Sequence, residues 1–442
     1  MTTTAARTAL APAGPLPPRP RVPRVVQGLA FVLSRRAAVH RMARRCGPVF
    51  TVELPVFGRT VVVAEPQLAR QVFAADPADL GNIQPNLSRV LGAGSVFALD
   101  GEDHRLRRRL LTPPFHGRSV RRYEQIFAEE TLREIADWPL GRPVPTLPSM
   151  MRITLNVILR TVFGADGQQL HEMRELMPEW VTLGSRLGAL PMPHRRPNIG
   201  PWRRLADYRR HYDRIVGELI DRVARDPDLE HRDDVLSLLL RSRTEDGAPL
   251  SRRDLADELL TLLAAGHETT AATLGWAFER VTRHPEVLDR LVAEARAGDD
   301  NSYRQRVIWE VQRTRTVIDF AGRHVYAPAF ELGEWVVPRG YSIIVSLLQL
   351  HERAEEYPQP WRFDPDRYAD ARPPAAAWVP YGGGVRRCVG AVFANVEMDI
   401  VLRTVLRHCD IEPTTAPDEK VHARGVAYTP AGGGRITVRA RR

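Results

Sequence analysis

The stretch Tyr381-Gly382-Gly383-Gly384-Val385-Arg386-Arg387-Cys388-Val389-Gly390 decides how this chain is read. A glycine-rich turn lets backbone come close to a flat ligand, and Cys388 then stands just ahead of a helical pattern over 391–408. At a helix N-terminus the unpaired amides and the positive dipole end favour thiolate over thiol. Arg386 and Arg387 push in the same direction. A lone cysteine is ordinarily a small buried hydrophobe, which is the reading for Cys46 and Cys409. Three consecutive glycines serve no purpose in packing, and this sets Cys388 apart. No second or third Cys or His stands at zinc spacing from it. A single thiolate on a glycine loop points to haem iron.

The chain around this motif has 442 residues, 43% of them hydrophobic and 26% charged, enough for a substantial buried core. Length alone suggests two or three domains. Three cysteines cannot staple a secreted scaffold, so a reducing cytoplasmic setting is expected. No uncharged apolar run approaches the ~18 residues of a bilayer span, so no integral membrane segment is expected, and the start lacks a signal peptide's apolar stretch. A net charge of +10 invites a nucleic-acid partner. Only Lys420 among the 63 basic residues is lysine, however, and the arginines are interleaved with acids, as over 203–218. That dispersal fits solvated helix faces and compositional bias rather than a phosphate-binding stripe, so no nucleic acid is expected.

Residues 1–24 hold Pro12, Pro15, Pro17, Pro18, Pro20 and Pro23 and are expected to form an extended, poorly packed, flexible lead. Strand-like segments follow at 50–56 and 60–64. From 67 to 298 the apolar period is mostly helical, interrupted by loops such as 191–201. A strand-rich patch spans 317–345 with a turn at Pro338-Arg339-Gly340, and the last thirty or so residues read as strands around Gly432-Gly433-Gly434. The fold class is mainly α with small β-sheets.

The decisive stretch closely resembles the haem-ligand loop of cytochromes P450, whose pattern is Phe-x-x-Gly-x-Arg-x-Cys-x-Gly. Every position matches except the first, where Tyr381 stands. The resemblance implies haem b, with Cys388 as axial iron ligand, Arg386 on a propionate, and Tyr381, Gly382, Gly384 and Gly390 around the cofactor. Three further motifs occur in the family's order. Ser251 with Asp254 opens a helix expected over 251–284, and inside it lies Ala265-Gly266-His267-Glu268-Thr269-Thr270. Glycine, an acid and hydroxyl residues inside a helix are locally unfavourable, and by themselves they read as a tolerated kink. The resemblance instead makes Glu268 and Thr269 a proton relay, with Ala265 and Gly266 against the haem and Gly266 making room for oxygen. His267 is read as a packing or polar contact.

Glu310 and Arg313 lie at i,i+3, a spacing that alone means a surface pair. In the family the pair joins a later arginine, here Arg367, in a structural network without which haem is not incorporated. Finally, Asp100-Gly101-Glu102-Asp103-His104-Arg105-Leu106-Arg107-Arg108 matches a bacterial-type pattern in which His104 and Arg108 reach a propionate, and Arg323 occupies the place of another propionate partner. Buried carboxylates need such cations, whereas Arg105 and Arg107 read as a solvated face. Two departures stand out: prolines common after the Glu-x-x-Arg pair are replaced by Thr314–Phe320, and His351-Glu352-Arg353-Ala354 deviates from the usual His-Arg-Asp-Pro.

The resemblance covers nearly all of 25–442 and implies one haem domain there, catalysing a monooxygenation with O2. No dinucleotide fingerprint is present, so electrons are expected from a ferredoxin and its ferredoxin reductase, docking by Arg387 and the arginines of 105–109. Two other classes are weighed against this. An H2O2-dependent peroxygenase has no need of Glu268 and Thr269, and a non-catalytic haem redox or gas sensor has no use for a relay. Segments 82–99, 180–193, 260–269 and 317–320 are expected to line the pocket, and their apolar content suggests a hydrophobic small-molecule substrate.

Overall fold

Ser251 starts a 30-residue helix, Arg252–Val281, by accepting the Asp254 N–H at 3.1 Å, as a capping residue should. The helix stops at Val281 rather than 284. Leu255, Leu259 and Leu262 are buried, and the helix packs most extensively along Thr146–Thr161. One polar link crosses that contact: Thr154 Oγ1 donates to the His267 carbonyl at 3.0 Å and lies 3.0 Å from its Nδ1. The main core surrounds these two helices and includes Ala391–His408, Ser302–Thr314 and Gly200–Ala224.

The computed structural model describes residues 14–54, 57–84, 87–164, 167–188, 199–244, 247–298 and 300–442. Positions 55–56 of the first predicted strand, 85–86 and 189–193 of the predicted pocket, and much of the loop 191–201 lie outside them.

A five-stranded sheet runs in the spatial order Val49–Leu54, Gly58–Val63, Ser342–Ser346, Phe320–Val325, Leu80–Asn82. Its one parallel pair joins Val61 to Ile343. The chain therefore brings its beginning and its strand-rich later patch into one sheet, with a core of its own on each side. Near the end, Val421–Arg424 pairs with Ala427–Pro430, and Arg435–Arg441 pairs with Cys409–Glu412 and Pro143–Pro145. The turn at Gly432-Gly433-Gly434 is in place, with φ of 81° at Gly433 and 67° at Gly434. Two strands fall inside the stretch read as helical, Leu80–Asn82 and Pro143–Pro145. Each has three residues, too few to show a period, and each is defined by a partner far along the chain.

The proline-rich lead needs correction. Residues 14–23 are non-helical, as prolines require, but they pack: Thr51 N–H donates to Pro18 O at 2.8 Å, Val336 N–H to Pro15 O at 3.1 Å, and Pro17 and Pro20 are buried. The prolines that forbid a helix leave carbonyls free to accept from a sheet edge. Residues 1–13 lie outside the described residues.

Candidate active site

The loop before Ala391–His408 closes on itself through the Cys388 N–H, which donates to Tyr381 O at 2.9 Å. Gly382 and Gly384 both have φ of 65°. A Cβ at Gly384 would lie 1.8 Å from Phe73 O, so only glycine fits there. The glycines thus do serve packing, contrary to the sequence reading. Gly390, by contrast, has φ of −84° and open space where a Cβ would be. Cys388 is accessible at its own surface yet lies deep among protein atoms. Burial is the largest influence and pushes its thiol up, opposed by the Gly390 amide, Arg108 and Arg387. Arg386, enlisted by the sequence reading, is not among the groups opposing the burial. The Tyr381 hydroxyl accepts from Gln312 Nε2 at 2.7 Å and donates to Asn395 Oδ1 at 2.9 Å.

Three arginines and a histidine gather beside this loop. His104 and Arg108 lie on helix Gly101–Leu111, Arg323 on strand Phe320–Val325, and Arg386 in the cysteine loop. Burial pulls the His104 imidazole down to about 4, and Arg386, Arg108 and Arg323 add to the shift. Arg323 is lowered to about 10 by burial and Arg386. Asp100 is the acid that recurs among them. It accepts from Asn82 N–H at 2.9 Å, from Tyr326 at 2.8 Å and from Arg386 at 2.5 Å. Burial works to raise Asp100, yet those contacts together hold it below the ordinary carboxylate range. Arg386 also donates to Leu99 O at 2.9 Å, Arg323 to Gly383 O at 3.1 Å, and Arg108 to Arg387 O at 2.6 Å. Like charges depressing one another in a buried place call for an anionic ligand. Arg107 corrects the solvated-face reading: it is buried and bonds Gly94 O and Glu258, the latter at 2.8 Å. Arg105 is exposed and pairs with Glu102.

On the long helix the burial is broken at one place. Ala265 is exposed and Ala264, Gly266 and Thr269 are partly so, amid neighbours that are buried. This is an open face inside the molecule. The Thr269 hydroxyl bonds its own helix at Ala265 O, 2.7 Å away. A Cβ on Gly266 would come 2.8 Å from Ile158 Cδ1, so its smallness also serves the approach of helix Thr146–Thr161. Glu268 is buried, and burial raises its pKa against the pull of Arg424. Arg424 Nε donates to Glu268 at 3.0 Å, and its other arm to Thr182 Oγ1 at 3.1 Å. Burial lowers His267 to about 4, with Arg424 adding to it, so the ring is neutral.

Glu310, Arg313 and Arg367 come together completely. Arg313 makes a two-pronged pair with Glu310 at 2.7 and 2.8 Å and donates to the carbonyls of His351, Pro360 and Arg362. Arg367, Tyr368 and the Asp364 amide fill the remaining lone pairs of Glu310. His351 carries the order onward: its Nε2 accepts the Val379 N–H at 3.0 Å and its Nδ1 lies 2.7 Å from Thr316 Oγ1. Val379 is two residues before Tyr381, so this network is tied to the start of the cysteine loop.

Asp100, Gln312, Asn395 and Arg424 were not singled out by sequence. Their partners lie 14 to 286 positions away, and only Asp100 and Gln312 stood within quoted motifs.

A thiol, a nest of cations suited to two carboxylates, and a bared helix face fit a flat dianionic iron macrocycle, and they define a haem-thiolate protein. The cytochrome P450 family profile matches residues 16–436, and the chain belongs to that family. It is a cytochrome P450 monooxygenase with haem b as cofactor. The provisionally named cytochrome P450 138 of Mycobacterium tuberculosis (strain H37Rv) is 60% identical over 435 residues, covering 98% of each chain. The provisionally named cytochrome P450 135B1 of Mycobacterium bovis is 40% identical over 97% of this chain and 92% of that one. Among solved structures, retinoic-acid-bound cyanobacterial CYP120A1 superposes with a TM-score of 0.85 at 23% identity, over 97% of this chain and 100% of that chain. The heme domain of cytochrome P450DA gives 0.80 at 21% identity, over 97% and 98%. At such identity these two structures speak for the fold. No helix among the described residues is long and apolar enough to cross a membrane.

Proposed function

We propose that this chain inserts one oxygen atom from O2 into a hydrophobic small molecule in the cytoplasm, using electrons from a ferredoxin and its reductase. The observation that carries the reading is the placement of Cys388 beside the nest of Arg108, Arg323, Arg386 and neutral His104. Haem b, when bound, supplies the activation of dioxygen. Cys388 would give up its proton and hold the iron through its sulfur, ligation offsetting the burial that raises the free thiol. Arg323, Arg386, Arg108 and neutral His104 would hold the propionates. Tyr381, Gly382, Gly384 and Gly390 shape the loop, with Ala265 and Gly266 on the opposite wall. Glu310, Arg313 and Arg367 keep the scaffold beneath the loop in place.

Glu268 takes protons at its carboxylate and passes them towards Thr269 Oγ1. Burial raises its pKa, which favours uptake of a proton. This acid–hydroxyl pair favours O2 over hydrogen peroxide as oxidant. Electron donors dock at exposed arginines such as Arg387 and Arg109; Arg107, being buried, is not among them.

The reduced protein under carbon monoxide should give the red-shifted band of thiolate ligation, and Cys388→Ser should lose it. A band at the shorter wavelength of neutral ligation in the unaltered protein would overturn the assignment. NAD(P)H consumption with generic redox partners, compared with peroxide-driven turnover, separates the oxygenase from the peroxygenase. Glu268→Gln should lower coupled turnover about 10- to 100-fold and leave the carbon monoxide band intact.

A further inference from the structure

Helix Arg24–Cys46 has an apolar side too many. Ala38 and Met42 meet Phe50, Val52 and Val62 of the sheet, with Ala30 and Phe31 packed alongside. That seam already holds the helix to the protein. Yet Val25, Val26, Leu29, Val32 and Leu33 are 81, 50, 57, 65 and 76% exposed. They recur at i, i+1, i+4, i+7 and i+8, which is one continuous stripe on a helix. The buried positions nearby are instead Gln27 and Gly28, with Gln27 bonded to Val22 O at 2.7 Å and to the Glu53 amide at 3.1 Å. The start of the helix thus turns its polar residue inward and its aliphatic residues outward. Ser34, with φ −157° and ψ 82°, ends the helical run behind the stripe.

Charge indicates what covers this stripe. The first 52 residues contain nine arginines and no Asp or Glu. Arg24 is paired with Glu53, and Arg35 and Arg36 with Asp319. Arg21, Arg41, Arg44 and Arg45 are exposed and make no ion pair among the described residues. A second copy of this face would bring like charges together, which opposes a symmetric dimer. The stripe is purely aliphatic and lacks the exposed Trp and Tyr anchors that dominate protein interfaces. An aliphatic stripe on a segment rich in exposed arginine and free of acids matches a bilayer surface with acidic headgroups.

We propose that residues 24–33 lie in the interface of an anionic lipid membrane, holding the enzyme there peripherally. The holoenzyme should co-sediment with vesicles of equimolar phosphatidylglycerol and phosphatidylcholine. It should bind pure phosphatidylcholine at least tenfold more weakly, and raising salt from about 0.1 to about 0.5 M should release it. Leu29→Glu with Leu33→Glu should lower anionic-vesicle affinity at least tenfold, and Arg44→Ser and Arg45→Ser about fivefold each. All variants should keep the carbon monoxide band, because the side chains are exposed. The proposal is overturned if the unaltered protein stays in the supernatant with anionic vesicles at low salt. It is equally overturned if the Leu29/Leu33 variant binds as well as the parent. A dimer in sedimentation velocity that the variant abolishes, without vesicle binding, would assign the face to a second copy. A salt-sensitive complex with a ferredoxin lost in the same way would assign it to a donor. Either result removes the membrane.

Discussion

Two groups of arginines in this protein look alike in sequence and differ in kind. Around Glu310, the guanidinium groups of Arg313 and Arg367 meet a carboxylate and a ring of carbonyls supplied from within the chain. Beside Cys388, Arg323 and Arg386 share a single recurrent acid, Asp100; Arg386 lowers Arg108 and Arg323, and all three arginines lower His104. The first group is complete without a ligand, and the second is not. A buried ion network that satisfies itself is scaffold; one left with excess charge of one sign is a binding site waiting for the opposite sign.

The largest expected effect comes from breaking the complete group. Arg313→Ala leaves Glu310 buried without its main partner, a loss of about 3–5 kcal/mol. Purified protein should then carry less than about a tenth of the parent's haem, read as the ratio of haem to protein absorbance. In the incomplete group the effect should be smaller and specific to the cofactor. Arg386→Gln removes one charge-assisted contact of about 1.5–3 kcal/mol. Haem transfer to an acceptor apoprotein should speed up about 10- to 100-fold while the urea midpoint of the apoprotein changes little. If both substitutions reduced haem content and apoprotein stability in parallel, the distinction between scaffold and site would fail.

Buried neutral histidines add a third, pH-dependent case. His267 has a folded pKa of about 4 against an ordinary value of 6.5. The folded chain therefore binds fewer protons than the unfolded one between these values, so its contribution is intact above pH 6.5 and is lost as pH falls towards 4. The loss amounts to about 3 kcal/mol, and His267→Gln should flatten the fall in urea midpoint across that window. The smallest expected effect is at Tyr381, whose hydroxyl is occupied by Gln312 and Asn395. Tyr381→Phe should shift the haem reduction potential only slightly; an unchanged potential in redox titration would show that the hydroxyl is not felt at the sulfur.

The parts legible in sequence were those whose determinants lie close together along the chain. The Ser251 cap, the helix after Cys388 and the turn at Gly432-Gly433-Gly434 each fit within a few residues, and the structure has them. Arg107 was misread because its neighbours in sequence are exposed arginines, whereas its partner Glu258 is 151 positions away. The same holds for Arg424 and for the three-residue strands, which exist only through pairing. The need for Gly384 was misattributed because the obstructing atom is the carbonyl oxygen of Phe73, on an element that no local pattern connects to the loop.

Arg424 has a consequence of its own. One side chain grips both the acid in the central helix and the hydroxyl of Thr182 on helix Gly167–Gly188, from the end of the hairpin strand Val421–Arg424. Anything that shifts that hairpin or that helix also changes the charge seen by Glu268. The acidity of Glu268 is therefore mechanically linked to the position of both of those elements.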